Sequence, residues 1–145
     1  MTGTAVDAQW DEHPMSLPVR NNETLARRWG ATQASRGRGA LPAGTLPDSQ
    51  AASTDFGNVS HLVPGIHPLV KIAPEGTALH TTDFAAAAIS DQAFEGAFDA
   101  AVGLAQTIAD ILNDPQLLAD AQEEFRNAGG AISVEKLLAG AATQR

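Results

Sequence analysis

The sequence predicts an α/β fold, a few strands with amphipathic helices packed against them. Two short runs, Thr4–Trp10 and Ile66–Ala73, alternate apolar and polar residues at the period of a half-buried strand. Two longer runs, Ser90–Leu112 and Asp114–Phe125, repeat apolar residues at three- and four-residue steps, as a helix with one buried stripe does. The 145 residues suffice for one domain with a modest core.

In chain order, Thr4–Trp10 sets Val6, Ala8 and Trp10 on one face and Asp7 and Gln9 on the other. No earlier strand is available to satisfy its backbone groups, so it reads as the end of a larger unit. His13 to Pro18 is a connector. Asn21 or Asn22 can cap the next helix, with Glu23 favourable in its first turn. That helix has a narrow edge of Leu25, Arg28, Trp29 and Thr32 and fades near Ser35. Arg27, Arg28, Arg36 and Arg38 cluster there and are expected to be solvated rather than to bind an anion. Residues 37–52 are rich in Gly, Pro, Ser and Ala without periodicity, as a mobile loop is.

Residues 53–58 read as a Ser/Thr- or Asx-capped turn with a central glycine. In Ile66–Ala73, Ile66, Pro68, Val70 and Ile72 share one face, and His67, Leu69 and Lys71 the other. Pro68 marks an edge or a strand end. Thr81 or Thr82 can cap a short helix over Asp83–Ala88. Ser90 caps the long helix, whose expected buried stripe is Phe94, Phe98, Ala101, Ala105, Ile108 and Leu112. Asp114-Pro115 opens the next, a cap followed by a proline where the missing N–H costs nothing. Leu117, Leu118, Ala121 and Phe125 form its stripe, and Gly129-Gly130 ends it. A last short helix is expected after Ser133.

Composition narrows the function. Hydrophobic residues make up 43% of the chain but aromatics only 5%, with 13 Gly and 8 Pro, so the core is built from small side chains and its stability depends on packing against something more. The net charge of -8 falls in the second half, since residues 1–50 balance five arginines against Asp7, Asp11, Glu12, Glu23 and Asp48. A nucleic-acid binder needs a basic stripe, so that class is disfavoured. The absence of cysteine removes disulfides, thiolate metal ligands and a cysteine nucleophile from this chain. No leader and no apolar run of membrane length is visible, so a cytoplasmic protein is expected.

Chemistry concentrates between Ser53 and Phe84, which holds three of the four histidines: His61, His67 and His80. His80 directly precedes a helix cap, where an imidazole can face a cleft and serve as a metal ligand. The three histidines do not share a compact ligand spacing, so the plain alternative is a hydrogen-bonded or surface ring. In Ser53-Thr54-Asp55-Phe56-Gly57-Asn58, glycine permits close approach of the backbone and the neighbours supply donors and an acceptor. No nucleophile elbow or phosphate-binding loop is present.

The runs Ser53-Thr54-Asp55-Phe56-Gly57-Asn58-Val59-Ser60, Val63-Pro64-Gly65-Ile66-His67-Pro68 and His80-Thr81-Thr82-Asp83-Phe84 resemble the C-terminal part of zinc-dependent amidohydrolases of the aminoacylase/carboxypeptidase metallopeptidase family, in the branch of aminobenzoyl-glutamate hydrolase and related dipeptidases. Leu17-Pro18-Val19-Arg20-Asn21-Asn22 is similar to the return from that family's inserted lid domain, and the likeness covers roughly residues 4–127. It implies that residues 1–13 hold the last strand of the lid and 14–145 the C-terminal part of a dinuclear metallohydrolase catalytic domain. It implies His80 as a ligand to zinc or another divalent metal, with Asp55, Asn58 and His67 shaping the site or touching substrate. The substrate would be a small N-acyl amino acid, dipeptide or aminobenzoyl-glutamate-like amide, cut by metal-activated water. The parent enzyme could form a homo-oligomer.

The family's other ligands and its Glu-Glu base do not occur here; Glu123-Glu124 belongs to a late helix. A catalytic zinc needs about three protein ligands. The expectation is therefore a metal site incomplete in this chain, inactive without the enzyme's N-terminal half. The alternative is a non-catalytic binding or assembly module that completes a site with a partner chain.

Overall fold

The computed structural model describes residues 3–7, 16–42, 45 and 54–135. Five helices are defined among them: α1 (Glu23–Ser35), α2 (Phe56–Ser60), α3 (Thr82–Ala87), α4 (Asp91–Asn113) and α5 (Pro115–Asn127). The helices α1, α4 and α5 pack on one another, and the remaining segments are turns and irregular backbone.

The caps follow the local chemistry. The Asn22 side chain accepts from Leu25 N, Thr81 Oγ1 from Phe84 N, and Ser90 Oγ from Ala93 N, each satisfying a first-turn N–H that has no partner within its helix. Asp114 accepts from Gln116 N and Leu117 N ahead of Pro115. Gly129 and Gly130 follow α5 with φ of 105° and 65°, left-handed values that stop a helix. Val134 and Glu135 are helical, and the rest of the helix expected after Ser133 lies outside the described residues.

The α/β expectation is corrected: the described residues contain no strand. Within Ile66–Ala73 no backbone ladder forms among the described residues, and His67 N donates to the Asn21 side chain. Residues 70–72 instead cross α4 at Gly96, where a Cβ would lie 2.9 Å from Ile72 Cγ2 and 3.4 Å from the Lys71 carbonyl. Alternation recorded which side chains turn inward, and helix α4 covers that side. Thr4–Asp7 also has no strand, while the remainder of Thr4–Trp10, and with it the end of the expected lid strand, lies outside the described residues. So does most of the loop expected over 37–52.

A second correction concerns α4. Phe94, Phe98, Ala101, Ala105, Ile108 and Leu112, expected to be buried, are all exposed. The inward face is made of Ala93, Gly96, Gly103 and Thr107. Small residues let α1 approach so closely that a Cβ at Gly103 would sit 2.6 Å from Trp29 Nε1 and 2.3 Å from Gln33 Nε2. The core is accordingly small: Leu25, Trp29, Ala73, Ala93 and Ala121, with the polar Asn22, Thr32, Gln33, Ser60 and Thr107 buried among them.

Polar links tie the helices together. Arg28 pairs with Asp110, and Arg36 and Arg38 both grip Asp99, so these α1-side arginines are ion-paired to α4 rather than merely solvated. Glu124 of α5 accepts from the N–H groups of Glu23 and Thr24 and from the Thr24 hydroxyl, capping α1 from another helix. Burial pushes the Glu124 carboxyl up, but the Thr24 and Glu23 donors and the Arg27 charge outweigh it and hold its pKa below the ordinary value. Hydrogen bonds from Arg38 and Arg36 lower that of Asp99.

Both carboxyls thus bind protons more weakly folded than unfolded. Their stabilisation is complete above the unfolded pKa and is lost as pH falls through the lower folded value. Urea midpoints measured from about pH 6 down to about pH 3 should decline, and less steeply in Glu124→Gln. Parallel declines in the two proteins would rule Glu124 out as a contributor.

Candidate functional site

Residues 54–67 are stitched to residues 17–22 by a series of backbone-to-side-chain bonds. Leu17 N donates to Asn58 Oδ1 at 2.8 Å, Arg20 N to Ser60 Oγ at 2.9 Å, and His67 N to Asn21 Oδ1 at 3.0 Å. Asn22 N donates to the Gly65 carbonyl at 2.9 Å. The two stretches thereby hold each other without a sheet among the described residues. Helix α2 lies so close to the first that a Cβ on Gly57 would sit 1.7 Å from the Leu17 carbonyl oxygen.

Arg20 fixes the far end. Its guanidinium donates to the carbonyls of Ala128 and Gly130 at 2.9 and 2.6 Å and lies 4.5 Å from the centroid of the Phe125 ring. It satisfies carbonyls that the end of α5 leaves without helical partners. His61 Nε2 sits 3.1 Å from the Pro18 carbonyl, a place in the same scaffold rather than in a ligand set.

On this frame Asp55 and His67 are both exposed. Asp55 precedes α2, is exposed, and makes no capping bond with its side chain; the turn is closed by Thr54 Oγ1, which accepts from Phe56 N at 3.3 Å. The exposed His67 ring stacks on Phe56, with centroids 5.3 Å apart and planes tilted by 34°. Phe56 in turn covers Gly65, where a Cβ would come within 2.9 Å of its Cζ. Asn58 is half-buried and committed to Leu17, so its amide holds the loop and its oxygen is not offered outward.

His80 stands apart from these contacts. It is exposed and is the single non-glycine residue with positive φ among the described residues, at 61°. A histidine in the left-handed region costs energy, and such residues gather at functional sites. The next residue locks the turn: the Thr81 hydroxyl donates to the Ala78 carbonyl at 2.7 Å while accepting from Phe84 N. The imidazole itself has no hydrogen-bond partner among the described residues.

No group of three His, Asp or Glu side chains converges as a metal site among the described residues. The donors present do not by themselves fit a catalytic zinc, which needs about three. Glu124 is bound to the start of α1 and is not free to act as a base. Sequence reasoning missed Arg20, Asn21 and Ser60. Asn21 had the signal of a cap, but Asn22 takes that role and Asn21 turns to the His67 backbone. Nothing in the spacing of Arg20 or Ser60 announces a partner forty residues or more away.

The chain is similar to two curated proteins. It is 33% identical to the Xaa-Arg dipeptidase of Mus musculus over 125 residues, 86% of this chain and 28% of that protein. It is 39% identical to the Xaa-Arg dipeptidase of Homo sapiens over 82 residues, 57% of this chain and 19% of that protein. The chain thus spans less than a third of the length of these relatives. No protein-family model matches it, and no solved structure does. No described helix is long and apolar enough to cross a membrane.

Proposed function

We propose that this chain forms part of a dipeptidase-like, metal-dependent amidohydrolase and contributes His80 to its metal centre, with the remaining donors supplied by polypeptide outside this sequence. The observation that carries the reading is the exposed, left-handed His80, without a hydrogen-bond partner among the described residues and set on a locked turn, in a chain similar to Xaa-Arg dipeptidases. The substrate is a small amide: a dipeptide, an N-acyl amino acid or an aminobenzoyl-glutamate-like compound. A cytoplasmic location and the aminobenzoyl-glutamate hydrolase branch belong to the same proposal.

His80, with donors outside this sequence, would hold a divalent metal such as zinc, which would supply Lewis-acid activation of the amide and of water. The chain's own part is positional. The turn through Thr81 holds the His80 ring outward, and the Phe56–His67 stack with exposed Asp55 forms a wall able to contact substrate. Asn58 and Asn21 keep that wall in place. Residues 1–13 as lid and 14–145 as catalytic-domain segment complete the assignment.

The test uses a chimera in which this chain replaces the matched segment of the mouse dipeptidase. The isolated chain should not hydrolyse an Xaa-Arg dipeptide. The chimera should do so with zinc, and His80→Ala should lower both its zinc content and its kcat/KM, the latter by more than about 100-fold. A folded chimera whose zinc content and rate are indifferent to His80→Ala would refute the assignment.

A further inference from the structure

Helix α4 is apolar on two faces, and only one of them is covered. Its small-residue face lies on α1 and on residues 70–72. The other carries Phe94, Phe98, Ile108 and Leu112, exposed by 75%, 56%, 58% and 78%. From Phe94 to Leu112 the stripe runs about 27 Å at the helical rise. The covered face spends its charge inward: Asp99 and Asp110 pair with the arginines of the α1 side. Between Ala100 and Ala109 the helix has no charged residue, leaving Asp91 and Glu95, both near its start, as its charges without an ion pair among the described residues. A helix with a second, exposed apolar stripe has a face its own chain leaves uncovered, and a contiguous exposed apolar patch marks an interaction surface.

We infer that the Phe94–Phe98–Ile108–Leu112 face of α4 is the docking surface for an uncharged, apolar surface on the remainder of the dipeptidase-like polypeptide. The assignment rests on the proposed function, and the length relation selects this occupant over a second copy. A relative of which this chain matches 28% has ample further polypeptide to cover one helix face. Arg36, whose guanidinium lies 5.4 Å from the Phe98 ring centroid, borders the stripe and leaves the rest open. Burying four large side chains would also supply the packing that the small core of this chain lacks.

Hydroxyl-radical footprinting of the isolated chain and of the folded chimera reads the face directly. Oxidation of Phe94 and Phe98 should be fast in the isolated chain and about tenfold slower in the chimera, as expected for side chains in the dry centre of an interface. Phe98→Asp and Ile108→Asp should leave the helical circular dichroism of the isolated chain intact and prevent the chimera from folding. A zinc-loaded, active chimera with both phenylalanines still oxidised at the free rate would overturn this surface while leaving the proposed function standing. An isolated chain that dimerises with Phe94 and Phe98 protected would make a second copy the occupant and overturn it as well. A chimera that cannot fold, beside a mouse parent that does, would reject both readings.

Discussion

Gly57→Ala is expected to destabilise the chain by about 3 kcal/mol or more, an overpacking cost at the upper end of the usual range. The new methyl would lie 1.7 Å from the Leu17 carbonyl oxygen and 2.8 Å from its carbonyl carbon, both backbone atoms with no rotamer to yield. Relief requires residues 17–20 to move away from α2. That movement breaks the Leu17–Asn58 and Arg20–Ser60 bonds, whose partners include the fully buried Ser60. The direction is informative because Gly57 is helical, and alanine in a helix gains about 1 kcal/mol over glycine. Thermal unfolding should shift down by roughly 10 °C or more. Gly39→Ala is the control: its Cβ meets nothing within 4 Å and should leave the midpoint unchanged. An unchanged midpoint in Gly57→Ala as well would mean that α2 does not rest on Leu17.

How far the sequence revealed this arrangement depends on the range of the forces involved. Caps act within three residues, so Ser90 and Asp114 were legible directly. The other two caps were legible to within one residue, as Asn21 or Asn22 and Thr81 or Thr82, of which Asn22 and Thr81 take the role. Period-two alternation in Ile66–Ala73 was legible as well, but the covering element was not, and α4 took the place of a neighbouring strand. In α4 itself the strong stripe was real and its surroundings were misjudged. Hydrophobic spacing says which side chains avoid water when a partner is present; it does not say which polypeptide supplies the partner. The glycine, alanine and threonine face was the one that let α1 come close, and it has little hydrophobic signal of its own.

The same limit applies at the site. His80, Asp55 and His67 drew attention through residue type, and the structure adds the φ of His80, the bare Asp55 carboxylate and the ring under His67. Asn58 was read as a site-shaping residue; in the structure its Oδ1 accepts from Leu17 N and ties helix α2 to that segment. Arg20 and Ser60 carry their weight through partners distant in sequence, where no local pattern could expose them.

Asn22→Ala is expected to cost about 2–3 kcal/mol, the loss of an N-cap together with a buried hydrogen bond. Asn22 is 4% exposed and serves three elements at once. Its Oδ1 caps α1 at Leu25 N, its Nδ2 donates to the Ala121 carbonyl of α5 at 3.0 Å, and its backbone N–H donates to Gly65. Asn22→Asp separates these roles. Aspartate is as good a cap as asparagine and favours the helix dipole, so an isolated α1 would tolerate it. In this fold it removes the donor to Ala121 and turns a carboxylate oxygen toward a carbonyl, a buried charge facing like polarity. The urea midpoint of Asn22→Asp should therefore fall at least as far as that of Asn22→Ala, against the order of capping preference. A midpoint near that of the parent protein would mean that the α1–α5 junction does not depend on the amide, and that Glu124 alone ties the start of α1 to α5.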